Sequence, residues 1–436
     1  MNRSLVLLLL MLSGLSACNE PDPGPAARIE YANYEVIERS VDGNIRSIKF
    51  RSTPVITDGF VEDLSEVYSV VIDSADSLPA SLGKLPKLAY LVINTSPNVT
   101  ELPASYGNLP SLVFLSIGES SITKFPETFR NASKLKTVYV GRCPASLFES
   151  LTLFPSLEKL SLQGTIDLPD ALPLLPGVVQ LGMYVTSKFP KIGGLTNVET
   201  VEISGSNASN MPGDIGTLTK LKTIRLSFHR APLTIGNELV PCVALENIYL
   251  SNNVGITLPS RLGELKSLRV LSLFESGLEA VPGSIGGLSS LEELTISKSK
   301  VKTLPSSIGQ LSKLKRLSVI ESALETVPAE IGQLTDLEFL ALNGNAILSL
   351  PSSIGNLKKV SSLVADKNKI TEIPSTIGDM SFLRTLELNG NQLTALPTAE
   401  IKRLTRLLYL SVGNNQIPKA QVDELKVAMP ALQIWE

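Results

Sequence analysis

One histidine, one tryptophan and three cysteines are all that 436 residues hold of these types, and each shortage removes a class of function. The lone imidazole, His229, has no second histidine with which to hold a metal and no positioned nucleophile to activate. A net charge of −3 provides no field for nucleic acid. No phosphate-binding glycine loop, metal-ligand cluster or nucleophile–base pair appears anywhere. No enzyme, cofactor or metal is therefore expected. Aromatic residues make up only 5%, so their placement carries information. With 43% hydrophobic and 19% charged residues the chain can still bury a core.

What the sequence has in quantity is repetition. Leu291–Lys313 reads LEELTISKSKVKTLPSSIGQLSK, and the pattern restarts at Leu314, Leu337, Val360 and Leu383, each time after 23 residues. A fixed period of that size marks a solenoid in which each unit packs on its neighbours, so one long domain is expected rather than two or three. Written L-x-x-L-x-L-x-x-(N/S)-x-L-x-x-L-P-x-x-I-G-x-L-x-x, it resembles the leucine-rich repeat. Its L-P-x-x-I-G half is similar to the 23-residue subclass of Ras-group leucine-rich proteins. The resemblance covers most of the chain. It implies an α/β solenoid, a horseshoe with a parallel concave β-sheet and short helical or 3₁₀ turns on the convex side.

The signature places strands from Val67, Leu88, Leu112, Leu135, Leu157, Val178, Val198, Leu221 and Leu245, then Leu268, Leu291, Leu314, Leu337, Val360, Leu383 and Leu407, about 16 repeats over residues 65–417. Apolar positions four and six point inward and the residues between them outward, because side chains alternate along a strand. Proline in Leu-Pro fixes φ and removes a donor, so the outer half of each coil is not expected to form a second central strand. Position nine falls in the bend after the strand, where a small polar group can bond neighbouring coils. It is Asn253, Asn345, Asn368, Asn391 and Asn415 in some coils, Ser96, Ser120, Ser206, Ser276, Ser299 and Ser322 in others, with Thr165 and Thr186. His229 and Cys143 fall at the same position and read as structural. Cys143 and Cys242 stand five coils apart, about 24 Å at one strand spacing per coil, so no disulfide is expected.

Before the repeats, Arg3, the apolar run Leu5–Leu12 and the small-residue site Leu15-Ser16-Ala17-Cys18 form a leader too short to span a membrane. Leu-Ser-Ala-Cys resembles a bacterial lipoprotein signal. The resemblance implies removal of residues 1–17 and lipidation of Cys18, with residues 18–28 as a Pro-rich tether. It also implies export to the bacterial outer membrane or cell surface on a lipid anchor, the membrane side being open. Asn19 in place of aspartate argues weakly against inner-membrane retention. Residues 29–64 carry a hairpin signal around Asp42-Gly43, expected to cap the first coil. Residues 418–436 hold a short amphipathic helix and a half repeat, expected as the carboxy-terminal cap with Trp435 over the last leucines.

Two outward features are candidates for function. Glu199, Lys222, Glu246, Arg269, Glu292, Lys315 and Glu338 alternate in sign at strand position two, a ladder expected to neutralise itself or else to serve as a charged docking strip. Aromatics occupy outward positions: Tyr90, Phe114, Phe339 and Tyr409 at three, Tyr139 and Tyr249 at five, Tyr184 and Phe274 at seven, Phe228 at eight. Tyr90, Phe114 and Tyr139 are expected to form one patch and Phe228, Tyr249 and Phe274 another. Clustered exposed rings on a hollow face mark binding, while rings stacked only on one another brace the sheet, and both readings stand. The expected function is binding of a protein partner through the concave face. A carbohydrate partner stacked on the same rings is the alternative. Spacings shorten between Gly141 and Leu245 and Leu-Pro is lost twice there, which is either function or drift.

Overall fold

The structure is a computed structural model that describes residues 34–51, 64–164, 168–184 and 188–436. Cys18, the leader, the tether, Thr165 and Thr186 lie outside the described residues. Nineteen strands form one sheet, and from the strand Ser69–Ile72 to the strand Gln433–Trp435 each pairs in parallel with the next coil's strand. The register repeats coil by coil: Leu271 faces Leu294, which faces Leu317, which faces Leu340.

This register explains the core. In the coil from Leu291 the side chains of Leu291, Leu294, Ile296, Val301, Ile308 and Leu311 are all fully buried. Each such aliphatic group stabilises by roughly 1.5–3 kcal/mol relative to an exposed one, but only because the coil before and the coil after close over it. Across from the sheet, the Leu-Pro half forms stacked 3₁₀ turns such as Ser306–Gln310, where Ile308 N donates to Pro305 O at 2.9 Å. The glycine of Ile-Gly is required by this stacking. A Cβ on Gly309 would lie 2.6 Å from the Glu330 carbonyl oxygen of the next turn.

The shortened coils have no room for that turn. Between the turns Ala145–Leu153 and Ile215–Thr217 the described residues contain no 3₁₀ segment. Instead a single bridge joins Ala171 and Lys191. Where Leu-Pro is lost at 232–235, the outer half does become a strand, contrary to the expectation for that side. Leu233–Thr234 pairs in parallel with Ile256–Thr257 as a separate two-stranded sheet.

At the amino end, the strands Tyr34–Arg39 and Ile45–Phe50 form an antiparallel hairpin, and the second continues the main sheet against Ser69–Ile72. At the carboxy end the helix Lys419–Ala428 buries Val422 and Leu425. The expected role of Trp435 is corrected. Its register partner is Ser411, which turns it onto the concave side, where it is 64% exposed. Leu432 and Ile434 cover the last layer instead.

Candidate partner-binding surface

Position five of every strand lies along the middle of the concave face, and the register joins these residues into one row. Tyr139 faces Ser161, then Gly182, Glu202, Arg225 and Tyr249 follow in successive coils. From Ser272 the row becomes small and smooth, through Thr295, Ser318, Ala341 and Val364.

Over the first coils the rings do form one patch. Tyr90 and Phe114 centroids lie 5.9 Å apart and Phe114 and Tyr139 5.2 Å apart, with Lys159 Nζ 6.0 Å from the Tyr139 centroid. All three rings are half-buried against one another, so the stack braces the sheet. Sequence reasoning missed its first member. Tyr68 packs edge-on against Tyr90 at 6.2 Å, and its hydroxyl donates to Glu38 of the hairpin. Burial first, and then the bond and charge of Glu38, push its hydroxyl up to about 12. Tyr68 stands at position two, outside the positions searched for rings.

Tyr184 makes no ring–ring contact among the described residues and settles on the same face in an unexpected way. A Cβ on Gly182 would meet its Cε2 at 2.9 Å, so the ring folds back along its own strand onto the gap that glycine leaves. There it covers Ser161, which is 1% exposed and whose hydroxyl has no partner. The Tyr184 hydroxyl reaches Glu202 at 3.3 Å, and burial followed by the Glu202 charge raises it to about 12. Arg225 closes the chain of contacts, 3.7 Å from Glu202 and 5.1 Å from the Tyr249 centroid. Tyr184, Glu202, Arg225 and Tyr249 thus form one run of contacts across successive coils.

The later rings behave differently. Among the described residues Phe228, Tyr249 and Phe274 make no ring–ring contact; each of the last two carries a cation, with Lys298 Nζ 5.2 Å from the Phe274 centroid. Arg316 similarly lies 4.6 Å from Phe339. Phe228 is 58% exposed, Phe274 39% and Tyr409 44%. Phe228 also stands on a left-handed backbone, φ +56°, at a position that neighbouring coils fill with Gly205, Asn252, Glu275 or Lys298, all at positive φ. A bulky side chain is costly there, and a large exposed ring held on strained backbone is a mark of function rather than stability.

The alternating charges pair in part. Glu199 meets Lys222 at 3.0 Å, and Glu292 is held between Arg269 at 2.7 Å and Lys315 at 2.9 Å, whose hydrogen bonds keep its carboxyl below the ordinary range. Glu246 and Glu338 make no salt bridge among the described residues, so these two do not face paired cations as the alternation suggests. The ladder at position nine is formed: Asn391 donates to Ala365 O at 2.9 Å and Leu388 O at 3.0 Å and accepts from Ile370 N at 3.0 Å. His229 occupies the same place, 1% exposed, with neither ring nitrogen bonded, and burial lowers its pKa. Cys143 and Cys242 are free and buried, and burial raises both thiols, Cys242 to about 11.

No family model matches the chain. Among solved structures, it superposes on a leucine-rich-repeat protein of Leptospira interrogans with 24% identity, 90% of each chain covered and a TM-score of 0.57. The chain folds as a leucine-rich-repeat solenoid. TLR13 in complex with ssRNA13 gives 18% identity over 90% of this solenoid and 65% of that chain, with a TM-score of 0.65. The plant peptide hormone receptor RGFR1 in complex with RGF2 gives 21% identity over 89% and 70%, with a TM-score of 0.54. In sequence, TMV resistance protein N of Nicotiana glutinosa is 27% identical over 186 residues, 39% of this chain. The solenoid spans only 16% of that relative's length. These likenesses carry the leucine-rich-repeat fold and no particular ligand.

Proposed function

We propose that this solenoid is an exported protein, anchored by a lipid on Cys18, that binds a protein partner across its concave face. The observation that carries the binding reading is the contrast along that face. Tyr68, Tyr90, Phe114 and Tyr139 consume their surfaces on one another, whereas Phe228, Phe274 and Tyr409 keep theirs open. Phe274 also carries a cation, Lys298, and exposed aromatics are enriched in interface hot spots. The stacked amino-terminal aromatics offer a sugar no open ring face, so a carbohydrate partner would have to use the same exposed Phe228, Phe274 and Tyr409. One structural neighbour, the plant peptide hormone receptor RGFR1 in complex with RGF2, supports the same class of function by fold.

The anchor rests on Leu15-Ser16-Ala17-Cys18 alone. Its test is fractionation of cells making the parent or Cys18→Ser: the parent stays with membranes, and the variant leaves them. Retention of both in the same fraction contradicts the anchor. Binding is tested by capture from extracts treated or untreated with protease, where loss after protease supports a protein partner and persistence favours a glycan.

A further inference from the structure

Position nine is where a buried side chain ties the bend after the strand to the coils around it. The Asn391 amide bonds carbonyls of two coils, and Asn345, Asn368 and Asn415 make the same bonds in theirs. His229 fills that place and ties nothing, being 1% exposed with neither ring nitrogen bonded. The bend at residues 228–230 is held by its own backbone groups. Phe228 N donates to Ser251 O, His229 N to Asn253 Oδ1 and Arg230 N to Ser206 O, each at 3.1 Å, and His229 O accepts from Val254 N at 3.2 Å.

A neutral imidazole can stay in this place and a charged one cannot. Imidazolium carries two N–H donors and a full charge, and burying a charge with no acceptor is far costlier than burying the neutral ring. Nothing packed around it offsets that charge. The ladder residues of the coils on either side, Ser206 and Asn253, are uncharged, and the other buried titratable group of the coil, Cys242, donates to Ile215 O at 3.3 Å with its thiol pushed up to about 11 by burial. The charged groups of its own and the adjoining strands and bends, Glu202, Arg225, Arg230 and Glu275, reach solvent instead; Arg225 is paired with Glu202 and Glu275 with Lys298. Burial is the one cause that shifts the His229 pKa, and it lowers it.

The neighbour of His229 makes opening easy. Phe228 stands at φ +56° with its side chain 58% exposed, so releasing the bend relieves backbone strain and gives up little packing. We propose that the bend at residues 228–230 is a proton-operated latch on the concave binding face: on protonation His229 leaves the ladder, and Phe228, next to it in the chain, leaves its place on that face. Only the consequence for binding rests on the proposed concave-face function; the latch is a property of the bend itself. An imidazole freed from burial titrates near the ordinary 6.5, so opening is favoured at pH 5 over pH 8 by up to roughly 30-fold. A partner that uses Phe228 is therefore held at neutral pH and let go on acidification.

Amide hydrogen exchange of the full chain carrying Cys18→Ser, so that no acyl group contributes, reads the latch without a partner. After correction for intrinsic rates, the amides of Phe228, His229 and Arg230 are expected to lose up to roughly 30-fold in protection from pH 8 to pH 5. The bend at residues 321–323, which has the same left-handed turn at Glu321, is expected to keep its own. His229→Asn, and His229→Ser as the second residue type of the ladder, are expected to abolish the change with an unchanged circular dichroism spectrum. Equal protection at both pH values in the parent, the same loss in the variants, or a loss spread over the whole chain overturns the proposal. In capture, a protein retained by the parent at pH 8 is expected to elute from it at pH 5 and to stay on His229→Asn. Elution from both or from neither overturns control of binding by the latch, whereas capture of nothing at pH 8 contradicts the concave-face function and leaves the exchange result to decide the latch.

Discussion

Tyr184 lies over Gly182 of its own strand, with its Cε2 2.9 Å from where a Cβ would sit. Glycine at that point of the concave face is what lets the ring fold down, cover Ser161 and reach Glu202. The run of contacts from Tyr184 through Glu202 and Arg225 to Tyr249 therefore starts from a missing side chain.

Gly182→Ala is expected to push the Tyr184 ring outward. Its hydroxyl, held near 12, then titrates closer to the ordinary value of 10.0. Because the displaced group is the end of a mobile side chain, the stability change stays within about 1 kcal/mol. Ultraviolet titration of the parent and variant reads the phenol directly, and an unchanged titration contradicts the fold-back.

His229 makes stability depend on pH. Its folded pKa lies below the ordinary 6.5, so the unfolded chain binds the proton more readily. Stability is complete above about pH 6.5 and falls as pH drops toward and through the folded value. His229→Asn restores the ladder amide used in other coils and is expected to flatten this part of the profile and to stabilise by about 1 kcal/mol at neutral pH. Denaturant midpoints at pH 5 and pH 7 check it; a variant with the parent's slope refutes it.

The ladder positions are unequal although the motif treats them alike. Asn391→Ala removes four hydrogen bonds, one of them long at 3.5 Å, and is expected to cost about 3 kcal/mol. Ser276→Ala removes a fully buried hydroxyl that has no partner, and is expected to be neutral or to stabilise by about 1 kcal/mol. Equal losses at both sites contradict the assignment of bonds.

Bracing and open rings separate in the same kind of measurement. Phe114→Ser breaks the stack on Tyr90 and Tyr139 and is expected to lose about 2 kcal/mol. Phe228→Gly relieves a left-handed backbone and removes little packing, so stability stays within about 1 kcal/mol of the parent.

Periodicity made most of the fold legible, because the same inward leucines recur in every coil and only one register buries them all. It also placed Tyr90, Phe114 and Tyr139 together, since position and coil number suffice for neighbours on one sheet. It did not reveal the left-handed bend that follows many of the strands: Ser74, Phe228, Asn252, Glu275 and Lys298 share a backbone conformation but no side-chain chemistry. Nor could it join Tyr184 to Glu202, which depends on a ring turning back rather than outward. Trp435 was misread for a related reason. A large apolar residue near the end of a repeat array looks like a cover, and only its pairing with Ser411 shows that it faces the hollow side. The outer strand Leu233–Thr234 shows a further limit, since its partner Ile256–Thr257 forms directly before Leu258-Pro259 and Leu-Pro therefore does not exclude a short strand on that side.

The central claim is that the open rings bind and the stacked rings brace. It is tested most directly by capture with three immobilised chains: the parent, the Phe228, Tyr249 and Phe274→Ser triple variant, and Phe114→Ser, each shown to be folded. A protein retained by the parent and by Phe114→Ser but lost by the triple variant is the predicted result. The same protein retained by all three contradicts the claim, as does its loss from Phe114→Ser alone.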